Sequence, residues 1–489
     1  MENIAITDRE TPFLFPLDMR DWVPKDHQVH FIIDAVEMIS PKVGYHINTR
    51  GTGSRQLDPR MMMSLLIYSY ANKRFSSYAI EKATYTDVPT IYITAMTHPD
   101  HNTINNFRKN NKEAFKQVFV QVLLLAQTTG IMKKIGSINV DGTKMKANAS
   151  KHKAVSYKYA KEQIAKYEKE VDKLNELAEK AEKNVEKLDL PKEIEIREKR
   201  ISVLKEAVEQ MEAAQKEIYE HEKAEYDRKM KEREEKERST GKKTGGKPPK
   251  APEEAVPDKT QVNFTDGDSR IMKEGNSKAF VQGYNMQAAV ETESMLVVGT
   301  YATQNCNDSR ELKKCVESVP GELEREDTVY ATSDTGYFSG RVITETEKEH
   351  PEVKVICATE RVPHGKTVEQ LIEELPEKLP AEETADGEIP PMTTDRMRAR
   401  LRTKEGQEIY AKRKETVEPV FGIIKQAMGF RQFLMRGLEN ISIEWDLVTI
   451  AYNLRRMFSL SQAAKSPKKS SKASRARKSS GTAMPGKAA

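Results

Sequence analysis

The chain has 489 residues, too many for one ordinary core, so we expect two to four domains, one of them large enough to be an enzyme. Hydrophobic residues make up 37% and charged residues 32%, a balance typical of soluble proteins, and the net charge of +5 is only a weak indication of nucleic-acid binding. No apolar run reaches the roughly 20 residues that cross a bilayer, and MENIAITDRETPF lacks a signal-peptide pattern, which argues against membrane and secreted proteins.

Residues 1–130 carry helical patterning and predict a helical N-terminal domain. The apolar residues of PRMMMSLLIYSYANKRF and NNKEAFKQVFVQVLLLAQTTG are spaced to form buried helix faces. A further helix is predicted to begin with Thr103 as its cap and to present Arg108 and Lys109 at the surface. Those two side chains belong either to a solvated face or to a DNA contact, and the pattern alone favours the solvated face.

The first strand signal lies in KKIGSINVDGTKMKANAS. We expect a short apolar strand to end on Asp141, followed by a tight turn at Gly142.

A heptad pattern follows this strand. Apolar residues recur at alternating steps of four and three, at Ala160, Ile164, Tyr167, Val171, Leu174, Ala178, Ala181, Val185 and Leu188. Pro191 is predicted to stop this helix, and Ile201, Leu204, Val208, Met211 and Ile218 repeat the pattern. Residues 151–240 therefore predict an antiparallel coiled-coil hairpin, most simply a structural arm or interaction device without chemistry.

The pattern then predicts a flexible linker and an α/β order. Residues 241–260 are rich in Gly, Pro and Lys and form the predicted linker. Strands are predicted in FVQGYNMQAAVET, SMLVVGTYAT, DTVYATSD and EVKVICAT, and helices in DSRELKKCVESV and TGYFSGRVITETEKEH. The third of these strands ends on Asp334, and a polar loop continues to about residue 391.

The C-terminal part is predicted to be helical. The segment EGQEIYAKRKETVEPVFGIIKQAMGF carries Glu418, and Pro419 is expected to kink the helix or to begin a new turn. IEWDLVTIAYNLRRMF predicts a further amphipathic helix. Residues 461–489 predict a basic disordered tail that either attracts phosphate or solubilises the chain end.

Asp141 and Asp334 suggest metal chemistry, because both follow predicted strands whose carboxyl ends would meet if the strands are parallel neighbours. Two Asp and one helix-borne Glu can hold two Mg²⁺ ions about 4 Å apart for phosphodiester chemistry. Each residue alone has a simpler interpretation, since Asp-Gly is a common turn and Asp334 could cap the next helix. No HxxxH, HxH or GxxxxGK[ST] pattern supports a metalloprotease or a P-loop enzyme, and His98 and His101 are interpreted as structural.

The chain resembles prokaryotic insertion-sequence transposases of the DDE superfamily with an InsH-type N-terminal domain. The resemblance runs from about Phe13 to Phe458 and is carried by PDHNTINNFR, VDGTKMKANAS, FVQGYNMQAAV, SDTGYFS and the long segment from YAKRKETVEPVF to DLVTIAYNL. It implies an RNase H-like catalytic domain at 131–150 and 261–460, with Asp141, Asp334 and Glu418 as catalytic and metal-binding residues.

The resemblance also implies DNA contacts. The family signature of Tyr, Arg, Glu and Lys maps onto Tyr410, Arg413, Glu418 and Lys425, although Arg413 precedes the Glu by five residues rather than the more familiar four. The seven-residue spacing of Glu418 and Lys425 would place both on one face of an uninterrupted α-helix. Lys144, Lys146 and Arg108 are further expected DNA contacts.

The function predicted in this way is metal-dependent cleavage and strand transfer of DNA, with Mg²⁺ or Mn²⁺, in two ions, as cofactor. The expected partners are double-stranded DNA, both the terminal inverted repeats and the target, and a second copy of the chain in a synaptic homodimer. The alternative is a catalytically silent transposase-derived DNA-binding protein, which the loss of one triad residue would have favoured. Three cysteines without CxxC spacing predict reduced thiols, and the expected location is the cytoplasm, in association with the nucleoid.

Overall fold

The computed structural model describes residues 18–47, 56–180, 189–240, 249–273, 279–359 and 391–465. The predicted polar loop to residue 391, the first part of the linker (241–248) and the tail from residue 466 lie largely or wholly outside them. The mixture of helices with a mixed sheet confirms the predicted α/β class. No helix within these described ranges is long and apolar enough to span a bilayer.

The N-terminal part is helical, in agreement with its sequence pattern. Its helices are α1 (Gln28–Ile39), α2 (Pro59–Ala71), α3 (Ser77–Thr86), α4 (Val88–Thr94), α5 (His101–Asn110) and α6 (Lys112–Thr128). Helix α2 begins with Pro59 in its first turn, and the Asp58 carboxylate accepts a hydrogen bond from the Arg60 N–H. Nearly all of α2 is buried, which makes it the centre of this helical layer.

The predicted start of α5 is wrong, and of its two predicted surface cations Lys109 is exposed whereas Arg108 is not. Asp100, rather than Thr103, caps the helix, because its carboxylate accepts from the N–H groups of both Asn102 and Thr103. Arg108 is only 3% exposed, since α5 turns this side chain inward, where it donates to the hydroxyl of Tyr70.

The strands form one large mixed sheet and one small ladder. In chain order they are β1 (Ile135–Lys146), β2 (Ala154–Ser156), β3 (Gln261–Asn263), β4 (Arg270–Lys273), β5 (Phe280–Glu291), β6 (Val297–Thr303), β7 (Arg325–Ser333) and β8 (Val353–Cys357). The large sheet has the order β4-β5-β1-β7-β8, with β6 also paired to β5. Strand β5 is antiparallel to β1, whereas β1, β7 and β8 are parallel neighbours. The two predicted Asp-bearing strands therefore lie side by side.

Asp141 lies inside β1 rather than at its end. The strand continues to Lys146 because every residue from Gly142 to Lys146 pairs with β5, which is long enough to extend it. The tight turn predicted at Gly142 is therefore wrong.

Two long helices leave the sheet after β1. Helix α7 (Tyr157–Lys180) and helix α8 (Leu190–Thr240) run antiparallel, since Tyr157 contacts Glu212 near one end and Glu170 contacts Arg197 nearer the other. Pro191 lies at the start of α8, where a missing N–H is tolerated, and the last heptad positions of the first helix lie outside the described residues. Strands β2 and β3 pair at the base of this excursion and hold its entry and exit together.

The remaining helices cover the sheet. They are α9 (Leu312–Glu317), α10 (Gly340–Glu349), α11 (Thr394–Arg402), α12 (Lys404–Ala411), α13 (Arg413–Gly422) and α14 (Leu438–Lys465), with a π-helical turn at Ile423–Ala427. No new turn begins at Pro419, because α13 continues through it, and the break between α12 and α13 falls at Lys412 instead. Helix α14 also runs past residue 460, where the tail was predicted to begin. It packs on α2, α6 and β6, so one hydrophobic core joins the N-terminal helices to the sheet.

Candidate active site

Asp141 and Asp334 are brought together by the pairing of β1 with β7. Ile138 pairs with Ala331 and Asn139 with Thr332, and the Thr332 hydroxyl donates a hydrogen bond to the Asn139 side chain. The same register, carried two residues beyond the last pair, would bring Asp141 beside Asp334, and the charge of Asp334 acts on the Asp141 carboxyl. Because alternate residues of a strand share a face, both carboxylates project from the face that carries Asn139 and Thr332.

Local hydrogen bonds hold each aspartate in place. The Asp141 carboxylate accepts from the N–H of Gly142 at 2.8 Å. Asp334 follows β7 directly and caps a 3₁₀ turn, accepting from the N–H of Gly336 at 2.9 Å. It is therefore a cap, although of this turn and not of α10, and one carboxylate oxygen is left for other partners.

Arg413 is the cation of this site. It begins α13, its side chain is 9% exposed, and its guanidinium lies 5.9 Å from the ring centroid of Tyr410. Burial opposes its charge, but Tyr410, Asp141 and Asp334 together raise the pKa of Arg413 above its ordinary value. Its Nε is buried without a hydrogen-bond partner among the described residues.

Glu418 lies on the same helix at the solvent side. Its side chain is 58% exposed, and one carboxylate oxygen is 3.9 Å from Nη2 of Arg413. Arg413 thus links all three predicted carboxylates electrostatically. The π-helical turn that begins at Ile423 interrupts the α-helix before Lys425, so the shared face predicted for Glu418 and Lys425 does not follow from their spacing.

The surroundings of the Asp141 carboxyl disfavour its negative charge. Burial is the largest cause that raises its pKa to about 7, and the charges of Asp334 and Asp308 act in the same direction. The Gly142 N–H and Arg413 oppose this shift without cancelling it. The site therefore holds more negative charge than its own cation compensates, a property common at functional sites.

Two family models match the chain. The model described as Transposase DDE domain matches residues 389–458, and the model described as Transposase domain (DUF772) matches residues 17–110. These two matches support an insertion-sequence DDE transposase. No curated protein and no solved structure matches the chain. The two models support a transposase function, DNA as partner and chemistry of the polynucleotidyl transferase type.

The matched segments cover two parts of this transposase. The DDE model includes α11 to α13 with Tyr410, Arg413, Glu418 and Lys425, and the second model includes α1 to α5. Asp141 and Asp334 lie outside both, so their assignment depends on the sequence motifs and on the pairing of β1 with β7.

A polar network beside Asp141 was not predicted from the sequence. Asp308 accepts hydrogen bonds from Asn285 at 2.6 Å and from Gln287 at 2.8 Å, and it pairs with Lys144 at 3.2 Å. Gln287 in turn accepts from the hydroxyl of Tyr337, in the turn after Asp334. The network therefore ties the strand that carries Asp141 to the turn that follows Asp334. Its members lie far apart in the chain and form no motif. The one indication in the sequence is that the polar residues of NMQ alternate along β5, which places them on one face of the sheet.

The predicted DNA-contacting residues differ in their surroundings. Lys144 is 17% exposed and neutralises Asp308, and Lys425 donates to the carbonyl oxygen of Lys144 at 3.0 Å. Lys146 is exposed. Arg108 contradicts its assignment as a DNA contact, because it is buried against Tyr70 in the core of the helical layer.

The carboxylates suit a hard divalent cation chemically. Such cations prefer oxygen ligands, and the raised pKa of Asp141 marks negative charge that a cation would stabilise. Within the described ranges no three His, Cys, Asp or Glu side chains are close enough to share one ion, so Asp141 and Asp334 fit as a pair, and Glu418 would have to swing inward from its exposed position.

Proposed function

We propose that this transposase cleaves and joins DNA strands at Asp141, Asp334 and Glu418. The observation that supports the proposal is the parallel pairing of β1 with β7, since Asp141 lies on the first strand and Asp334 follows the second, and the charges of both act on Arg413. A mixed sheet with the two aspartates on adjacent central strands also supports the RNase H-like character that the family resemblance implies.

Asp141, Asp334 and Glu418 would hold Mg²⁺ or Mn²⁺, in two ions. When bound, such ions activate a water or a 3′-hydroxyl and stabilise the leaving oxygen of an in-line displacement. The chain itself supplies the ligands on two rigid strands and one helix, so that the reacting groups are positioned before DNA arrives.

Arg413 is proposed to orient the scissile phosphate. The unpartnered Nε–H leaves a buried donor for a phosphate oxygen, and a planar guanidinium suits phosphate better than an ammonium group does. Tyr410 supports the guanidinium from one side. Lys425 fixes the strand that carries Lys144, and Lys146 projects at the surface toward DNA.

The other parts are proposed to bind and to pair DNA ends. The helical N-terminal part would recognise the terminal inverted repeats, and α7 with α8 would form a coiled-coil arm for the synaptic homodimer. Support for the arm is the antiparallel contact of the two helices, which bury Ala160 against Leu204, Ala207 and Val208.

A cleavage assay tests the proposal directly. Labelled DNA that carries the element's ends is incubated with the transposase in Mg²⁺, in Mn²⁺ or in EDTA. We expect cleavage in either metal and none in EDTA, and we expect Asp334→Asn to abolish cleavage while end binding persists. Equal cleavage by Asp334→Asn would refute the mechanism.

A further inference from the structure

Two segments without acidic residues lead away from the proposed catalytic carboxylates. Residues 142–161 follow Asp141, and residues 419–438 follow Glu418. The first carries six lysines, and the second carries Lys425, Arg431 and Arg436. In a chain that is 32% charged, with acidic and basic residues in similar number, two such stretches at these positions stand out.

The two segments lie side by side. Lys146 and Gln432 form a parallel β-bridge, and the N–H of Phe433 donates to the carbonyl of Lys146 at 2.9 Å. Further along, the Asn148 side chain donates to the carbonyl of Leu434 at 2.8 Å, and Arg436 donates to the carbonyl of Asn148 at 3.1 Å. Backbone contacts thus fix one segment against the other over their exposed parts.

Both segments carry exposed cations. We define the basic ridge by its exposed members, which are Lys146, Lys151, Lys153, Arg431 and Arg436. In the described parts of the chain, the amino groups of Lys151 and Lys153 pair with no carboxylate. Asp266 and Asp268 lie at one end of the ridge, where they accept from the N–H groups of Gly437 and Leu438.

We propose that the basic ridge binds the phosphate backbone of the duplex that flanks the cleaved bond. The ridge begins at the strand of Asp141 and the helix of Glu418, so a duplex centred on the site would extend along it. The inference depends on the proposed function, because it assigns the path of the DNA whose cleavage was proposed there. Phosphate contacts of this kind position a duplex without reading its sequence.

The charge pattern favours DNA over a protein partner. Five exposed cations can pair with phosphates, and such binding is stabilised by the counterions released from the duplex. A protein interface would instead be expected to have an apolar centre. The members of the ridge are all charged, and in the two segments Tyr159 and Leu434 are the exposed large hydrophobic side chains.

The test is the salt dependence of DNA binding by the full chain. The ridge variant is Lys151→Gln/Lys153→Gln, and the matched control is Lys133→Gln/Lys134→Gln, which removes two exposed lysines at the opposite end of β1. Affinity for a labelled duplex of arbitrary sequence is measured between about 50 and 200 mM salt. We expect the ridge variant to lower the slope of log K against log salt by about 2 and to weaken binding roughly tenfold at the lower salt, whereas the control keeps the wild-type slope.

A second pair of variants separates charge from folding. Arg431→Gln/Arg436→Gln should lower the slope, and Arg431→Lys/Arg436→Lys should restore it, because lysine keeps the charge. The proposal for the basic ridge would be refuted by equal slopes in the wild type and the ridge variant, or by equal losses of DNA affinity in the ridge and control variants. Either result would leave the proposed function intact. Failure of the wild type to bind DNA at all would contradict the proposed function itself.

Discussion

Gly142 follows Asp141 directly, and its lack of a side chain has a specific cause. A Cβ at this position would lie 2.9 Å from the Asp308 carboxylate and 3.0 Å from the Asn285 side chain, and still closer to the amide nitrogen of Gln287. The glycine is thus required by the polar network packed against β1, and the turn expected from Asp-Gly is absent.

We therefore predict that Gly142→Ala destabilises the fold by about 1–3 kcal/mol, because the added methyl group overpacks the network. The measurement is denaturant unfolding. Gly321→Ala is the control, since a Cβ there meets nothing within 4 Å, and it should leave the free energy of unfolding almost unchanged. Equal stability of the two variants would contradict this account of the network.

Asp446 on α14 gives a prediction of pH dependence away from the site. Burial raises its pKa to about 7, Lys116 acts against this rise and Glu113 acts with it. The unfolded chain ionises this carboxyl near pH 4, so between about pH 4 and 7 the folded state binds more protons, and this contribution to stability is lost as pH rises.

Asp446→Asn removes that titration. We expect the variant to melt about 2 °C above the wild type at pH 8, and this difference to shrink or reverse at pH 5, where the wild-type carboxyl is protonated when folded. Scanning calorimetry at the two pH values measures it. A difference that is the same at both would show that Asp446 ionises normally.

At the scale of elements, the periodicity of the sequence predicts which segments are strands and which are helices. It does not predict where an element ends or how deeply its side chains are buried. The sequence leaves open whether the strands before Asp141 and Asp334 are parallel neighbours, and the structure shows that they are. The end of β1 was misplaced because its length depends on pairing with β5, a partner more than a hundred residues away in the chain. Arg108 was misplaced because a buried cation with polar partners looks, in sequence, like a surface cation.

The helices around Glu418 show the same limit. Pro419 is the obvious breaker in sequence, yet the chain breaks at Lys412 and then forms a π-helical turn. The break sets Tyr410 and Arg413 on successive helices, so their contact is made across a helix junction. Sequence spacing alone could not predict the geometry of Arg413 relative to Asp141.

The hairpin is an element with a core of its own. Val155 and Val262 pack with α7 and α8 in a hydrophobic cluster separate from the main core, and the Tyr157 N–H donates to the carbonyl of Thr260 at the base. The chain therefore enters and leaves the hairpin at adjacent positions. The ion pair of Arg341 with Glu225 joins α10 to α8, and an exposed pair of this kind contributes about 1 kcal/mol or less.

Replacing residues 158–258 with a short glycine-rich linker should leave the main core folded, with single-end DNA binding retained and pairing of two ends lost. Circular dichroism melting and gel analysis of DNA complexes measure these outcomes. Unchanged pairing of ends would refute the proposed role of the hairpin in synapsis, and loss of all folded structure would show that the two cores are not independent.

For the whole molecule, the N-terminal helices and the sheet share one core rather than forming separate units. Tyr70 on α2 is fully buried and donates to Glu444 on α14 at 3.2 Å, while Arg108 donates to Tyr70 at 2.8 Å. Glu444 also accepts from the N–H groups of Leu434 and Met435, and burial raises its pKa. The part matched by the first transposase model is thus bonded to the part matched by the second.

Tyr70→Phe should lower the stability of the full chain by about 1–3 kcal/mol, because Glu444 and Arg108 each lose a buried partner. In scanning calorimetry the main unfolding transition should shift to lower temperature and remain a single transition. Tyr78→Phe, at a tyrosine that is 66% exposed, is the control and should have no measurable effect. A separate N-terminal transition in the Tyr70 variant would contradict the shared core.

The central claim is that Asp141 and Asp334 together bind a divalent cation, and calorimetric titration of the DNA-free transposase with Mn²⁺ tests it most directly. The wild type should bind Mn²⁺, and Asp141→Asn and Asp334→Asn should each weaken binding at least tenfold. Asp446→Asn, which removes a carboxylate elsewhere, should bind as the wild type does. Mn²⁺ affinity that is unchanged in both site variants would contradict the assignment of this pair as metal ligands.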